Sequence, residues 1–129
     1  MIALVRTVEG VFEVDVENEA VLGELDAAVD RERPELGLPR LVAASSHGAT
    51  IVALVDRRPP LLISGNSGAT WREAGGGLPA GFAVAVAEED PDRMLYAGRN
   101  RLYLSTDGGV FWRSLPLELR DISAVAWID

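Results

Sequence analysis

Apolar residues fall in short runs separated by tight polar turns along most of the chain. From residue 40 onward the runs cover 41–45, 51–55, 61–63, 83–88, 94–97, 102–104 and 123–128, with Gly, Asp, Asn and Pro crowding the intervals. Runs of this length between turn formers read as strands buried on both faces. The spacing predicts two further, more polar strands, from Trp71 through Arg72 and Glu73, and from Trp112 through Arg113 and Ser114. The opening segment repeats the pattern faintly, with runs at 2–5 and 11–14. Residues 21–33 break it, because Leu22, Leu25 and Val29 recur at helical spacing before Pro34, Gly37 and Pro39. A surface loop is expected there, with room for one helical turn.

The pattern also repeats. Ser64-Gly65-Asn66-Ser67-Gly68-Ala69-Thr70-Trp71 recurs as Ser105-Thr106-Asp107-Gly108-Gly109-Val110-Phe111-Trp112, 41 residues later. Ser123-Ala124-Val125-Ala126 likewise repeats Val84-Ala85-Val86-Ala87. In the opening unit residues 11–14 align with 61–64, Val21 with Trp71, and Asn18 with Gly68 and Gly109. Asn is the next-best residue after Gly for a left-handed turn. Each unit reads as four strands, A to D, and four-stranded units recurring every ~40 residues mark β-propeller blades. The expected fold is all-β, a single half-propeller domain over residues 1–129. It divides into a degenerate blade (1–39), two well-marked blades (40–80 and 81–120) and a lone C-terminal strand (121–129).

The octet Ser-x-Asp-x-Gly-x-x-Trp is complete in residues 105–112 and carries Asn66 in place of Asp in residues 64–71. It resembles the Asp-box, or BNR repeat, of sialidase-type and sortilin-type β-propellers. Ala85-Val86-Ala87, Asp90-Pro91-Asp92 and Leu95-Tyr96-Ala97-Gly98 are similar to the strand A–turn–strand B segment of such repeats. The resemblance covers residues 40–129 well and 1–39 weakly. It implies a fold-stabilising role for Ser64, Asn66, Gly68, Trp71, Ser105, Asp107, Gly109 and Trp112, on the face opposite the usual ligand site. A short acid or amide can accept backbone N–H bonds across the C–D turn, the Gly supplies positive φ, and the Trp fills the space between packed sheets. One carboxylate per turn is too few for a calcium cage.

Composition narrows the chemistry. The chain has 129 residues and a net charge of −8, with 12 basic and 20 acidic side chains. Every base is arginine, His47 is the lone histidine, and there is no cysteine. Disulfides, thiolate catalysis and sulfur-bound zinc are thereby excluded, and neither a metal nor a cofactor is expected. No run reaches the ~18 apolar residues of a membrane span, and the apolar start stops at Arg6, short of the ~7–15-residue core of a secretory signal. A cytoplasmic protein with no membrane partner is expected. Its acidity opposes nucleic-acid backbones.

No catalytic residues are expected. The sialidase resemblance would imply converging arginines, a Tyr–acid pair and a further acid, yet Tyr96 and Tyr103 fall within strands. Other glycosidases need two carboxylates at a fixed separation. Glu88, Glu89 and Asp90 crowd into a single A–B turn, and His47 occupies the equivalent turn one unit earlier. Gly75-Gly76-Gly77 is followed by neither a Lys nor a helix start, so it is no phosphate loop.

The arginines form the exception to this bland picture. Arg6, Arg57, Arg58, Arg99 and Arg101 map to B–C turns, and Arg31, Arg33, Arg40 and Arg120 to D–A loops, which share one end of a propeller. Eight acids join these nine arginines, so that end carries +1 and the remainder −9. Guanidinium groups there are suited to bidentate binding of carboxylate or phosphate. The expected function is a non-catalytic binding module for an anionic small molecule, an acidic glycan or a protein segment, with Arg6, Arg57, Arg58, Arg99, Arg101 and Arg120 as candidate ligand residues. A structural or assembly factor is the alternative, and a sialidase-type hydrolase a weaker one. The units read BCD, ABCD, ABCD, A, and three blade equivalents fall below the ~4–8 blades of a closed ring. A head-to-tail homodimer is therefore expected, each C-terminal strand completing the blade begun by its partner's first strands. A fragment of a longer propeller is the competing reading.

Overall fold

Where a strand is buried on both faces its sequence is continuously apolar, and where it lies at a sheet edge the pattern decays. Both extremes occur in the computed structural model, which describes residues 1–29 and 36–128. In chain order the strands are β1 (Ile2–Thr7), β2 (Gly10–Asp15), β3 (Ala20–Leu25), β4 (Leu41–His47), β5 (Thr50–Val55) and β6 (Leu61–Ser64). There follow β7 (Arg72–Ala74), β8 (Ala83–Val86), β9 (Met94–Ala97), β10 (Leu102–Ser105), β11 (Arg113–Ser114) and β12 (Ala124–Trp127). They make three four-stranded antiparallel sheets, the architecture of β-propeller blades: a leading sheet β4-β5-β6-β7, a middle sheet β8-β9-β10-β11 and a closing sheet β12-β1-β2-β3. No helix among the described residues is long and apolar enough to cross a membrane.

The middle sheet is sandwiched, which is why every residue of β8 and β9 is buried. Its Val84, Val86, Met94 and Tyr96 pack on Ala43, Val52, Leu54, Leu61 and Ile63 of the leading sheet. Its Ala83, Ala85, Leu95, Ala97, Leu102 and Leu104 pack on Ala3, Val5, Val14 and Val125 of the closing sheet. Strands β4, β8 and β12 touch in series, while among the described residues no strand of the closing sheet lies against one of the leading sheet. The three blades therefore form an open arc.

Three expectations change. Residues 20–25 form β3, not a loop, pairing Val11 with Leu25 and Val14 with Val21. As the outermost strand of its sheet β3 has five of its six residues exposed, so burial imposes no alternation on it. The positive φ of the first C–D turn falls on Glu19 (55°), not Asn18. Asn18 instead donates its backbone and side-chain N–H groups to the Asp15 carboxylate (3.1 and 2.7 Å). Finally, β12 pairs with β1 of its own chain, Val5 opposite Val125, where a second copy's blade was expected to receive it. The first three strands thus complete the sheet that the last strand begins.

Candidate functional site

The two octet turns share one hydrogen-bond scheme. In residues 105–112 the buried Ser105 hydroxyl accepts the Gly109 N–H (2.9 Å) and donates to Asp107 Oδ1 (2.8 Å). The same carboxylate accepts the N–H groups of Val110 (3.2 Å) and Phe111 (3.0 Å). These bonds, led by that from Phe111 and then that from Ser105, hold the Asp107 carboxyl below its ordinary range. In residues 64–71 Ser64 accepts from Gly68 (2.8 Å), and Asn66 Oδ1 accepts from Thr70 (2.9 Å) while its amide donates to the Thr70 hydroxyl (2.8 Å). A neutral amide thus does the work of the carboxylate. Gly68 and Gly109 take φ of 90° and 87°. Trp112 stacks edge-on to Tyr96 at 6.0 Å in the interface between the leading and middle sheets. The Ser64, Asn66, Ser105 and Asp107 side-chain oxygens each accept N–H groups of their own turn.

The opposite ends of the strands carry the arginines. The backbone of residues 115–123 is bonded to both neighbouring B–C turns: Leu119 N–H to Asn100 O (2.9 Å), Ile122 N–H to Arg99 O (2.8 Å), and Val8 N–H to Arg120 O (3.1 Å). This loop gathers Arg6, Arg99 and Arg120. Arg6 Nε donates to Ser123 Oγ (2.8 Å), and Arg99 Nε to Asp121 Oδ1 (2.8 Å), which raises the Arg99 pKa. That pair is 74% and 46% exposed, so water screens it and it contributes little stability. Arg101 is exposed in the Arg99–Leu102 turn. On the leading sheet Arg40 and Arg57 line a cleft of about 440 Å³ with Leu38, Pro39 and Leu62, and Arg58 lies exposed beside Arg57. The sequence-derived arginines thus fall into two groups, one on the leading sheet and one astride the middle and closing sheets. Among the described residues no ion pair engages Arg57, Arg58, Arg101 or Arg120, whereas Arg99 has Asp121. Arg31 and Arg33 lie outside the described residues. Sequence reasoning missed Ser123 as the partner of Arg6, since nothing local links residues so far apart in the chain.

The remaining candidates disperse. Tyr96 is fully buried and donates its hydroxyl to the Pro79 carbonyl; burial raises its pKa beyond the tyrosine range. Tyr103 packs edge-on against it at 6.0 Å. Glu88, Glu89 and Asp90 are exposed in the β8–β9 turn, and His47 is exposed at the end of β4. Glu88 lines a cavity of about 140 Å³ with Ser45, Ser46, Ala126 and Trp127, at the end of the inner strands away from the arginines. Among the described residues no group of three or more His, Cys, Asp or Glu could hold a metal ion.

No protein-family model matches the chain, and no curated protein matches it. Among solved structures, the crystal structure of the GH74 enzyme of Niastella koreensis is similar over 95% of this chain, with a TM-score of 0.51 and 22% identity. The chain spans about a fifth (19%) of that protein's length. A likeness at this identity concerns the fold alone: the chain resembles one piece of a larger β-propeller protein.

Proposed function

We propose that the chain is a non-catalytic binding module of Asp-box blades whose arginine-bearing end takes a carboxylate- or phosphate-bearing ligand. The observation that carries this reading is the set Arg57, Arg58, Arg101 and Arg120, exposed and, among the described residues, without an acidic partner, on a chain of net charge −8. A solvated structural surface would pair its arginines with the surplus acids, as Arg99 pairs with Asp121. Planar guanidinium groups left unpaired offer bidentate donors to an anion at little desolvation cost. The blade turns at the other end are self-satisfied and support the assignment of that end to stability. Hydrolysis of the kind a GH74 enzyme performs gains no support, since Tyr96 is sealed in the core and Glu88 and Glu89 share one exposed turn.

Calorimetric titration with inorganic phosphate and with citrate at low salt tests the reading. Replacing Arg57 and Arg58, or Arg101 and Arg120, together by Gln should weaken binding by about 10-fold or more in one of the two pairs, the loss of a charge-assisted hydrogen bond. Unchanged affinity in both overturns it. A structural or assembly role has one observation in its favour: Phe111 and Val110 are 78% and 60% exposed beside a cleft formed with Leu78, Tyr103 and Trp112.

A further inference from the structure

A place that two tyrosine rings fill in the middle blade is a cleft in the leading blade. Strand register, anchored on Ser64 and Ser105 of the octets, equates Leu62 with Tyr103 and Ala53 with Tyr96. It also equates Ala43 with Ala83, and hence Pro39 with Pro79, which precede them by the same interval. In the middle blade Tyr96 donates its hydroxyl to the Pro79 carbonyl, and Tyr103 lies edge-on to Tyr96 at 6.0 Å. The leading blade has a methyl group and a leucine in place of the two rings. At Pro39 there remains a cleft of about 440 Å³, lined by Leu38, Pro39, Arg40, Arg57 and Leu62. Ala44 and Ala53, on the same face of the sheet as Leu62, are fully buried, so the cleft is a local hollow and not an open sheet face.

Its lining combines two cations with three apolar residues. The Asp56 N–H donates to the Arg40 carbonyl (2.9 Å), which ties the entry of β4 to the β5–β6 turn and brings Arg40 and Arg57 to one cleft. Both arginines are exposed, and among the described residues no ion pair engages either. Leu38 and Leu62 are half-buried. Glu73 of β7 stands directly opposite Leu62, and cross-strand partners share a face of the sheet. A ligand that reached past the leucine would meet a negative charge.

We infer that this cleft takes an amphipathic monocarboxylate, a small acid with an aromatic or aliphatic body. The inference rests on the anion reading above and names the ligand class for one of its two arginine groups. Each guanidinium can donate two hydrogen bonds to a carboxylate, while the leucines and Pro39 cover the apolar body. The volume lies within the ~300–1,000 Å³ usual for small-molecule sites, whose walls are mostly apolar with a few placed polar groups. A dianionic phosphate loses more hydration against leucine than a carboxylate does, and Glu73 disfavours a second acid at the ligand's far end.

Calorimetric titration of the whole chain with naphthoate, with naphthylmethanol and with inorganic phosphate tests it. Naphthoate should bind about 10-fold or more tighter than either of the others, since it alone engages both the arginines and the leucines. Arg40→Gln/Arg57→Gln should remove its advantage over the alcohol, and Leu38→Ser should reduce its advantage over phosphate. Naphthoate binding no tighter than phosphate overturns this inference and leaves the anion reading standing; failure of both anions to bind overturns the two together. Equal affinities for naphthoate and the alcohol overturn it as well, because the arginines then contribute nothing. Tight naphthoate binding that survives Arg40→Gln/Arg57→Gln overturns the placement in this cleft. Should either variant not fold, the three affinities of the unmodified chain still decide.

Discussion

Adding one methyl group at Gly109 and at Gly68 separates the two burdens that a blade turn carries. Both glycines sit in the left-handed region, at φ 87° and 90°, so an alanine costs about 1–2 kcal/mol of backbone strain at either. The surroundings differ. A Cβ on Gly109 would stand 2.5 Å from Ile63 Cδ1 of the neighbouring sheet, well inside contact distance, with Met94 and Trp112 at its back. A Cβ on Gly68 meets nothing closer than 3.5 Å. Overpacking of that kind adds about 1–3 kcal/mol, because Ile63 is itself buried and must shift to make room. Gly109→Ala should therefore cost about 2–5 kcal/mol and Gly68→Ala about 1–2 kcal/mol. The assay is urea unfolding followed by tryptophan fluorescence, in protein dilute enough that contacts within one chain alone count. In thermal melts the gap between the variants corresponds to about 4–12 °C for a chain of this size. Losses equal within about 0.5 kcal/mol, or a larger loss for Gly68→Ala, would refute the assignment of the Gly109 turn to a packed interface.

Two further outcomes follow from the same turns. Ser105→Ala should cost about 1–3 kcal/mol in urea unfolding, since it strands the Gly109 N–H in a buried site. The depressed Asp107 pKa sets a pH dependence: its contribution is complete above the ordinary carboxylate value of about 3.9 and is lost as pH falls through the lower folded-state value. Melting temperatures recorded from pH 6 to pH 2 should fall more steeply for the unmodified chain than for Asp107→Asn, and parallel curves would remove the carboxylate from the account.

The legible parts of this protein are those where neighbours in the chain are neighbours in space. Hairpins joined by turns of a few residues, such as β5–β6 and β9–β10, leave their apolar runs and turn formers side by side in the sequence, and the octets carry their own hydrogen-bond partners within four residues. What escaped depends on longer reach. Strand β3 reads as a loop because Leu22, Leu25 and Val29 recur at helical spacing, and an edge strand exposed on both sides leaves no two-residue period to mark it. The left-handed residue of the first turn is Glu19, because Asn18 instead donates to the Asp15 carboxylate, an acid that the aligned octets lack at that position. That β12 closes on β1 joins the two ends of the chain, a matter of connection and not of pattern. For the arginine end, the turns could be assigned from topology, but the grouping of Arg6, Arg99 and Arg120 required the backbone bonds of residues 115–123.

The measurement closest to the central claim is an NMR titration of the arginine Nε–Hε resonances with inorganic phosphate at low ionic strength. The chain supplies its own control, for Arg72, Arg93 and Arg113 lie away from the proposed site: Arg72 donates to the Gly108 carbonyl, Arg93 lies over Trp127, and Arg113 pairs with Glu19. The account predicts saturable shifts at Arg57, Arg58, Arg101 and Arg120, with smaller ones at Arg6 and Arg99, and still signals at Arg72, Arg93 and Arg113. Shifts spread evenly over both sets, or confined to the second, would contradict it.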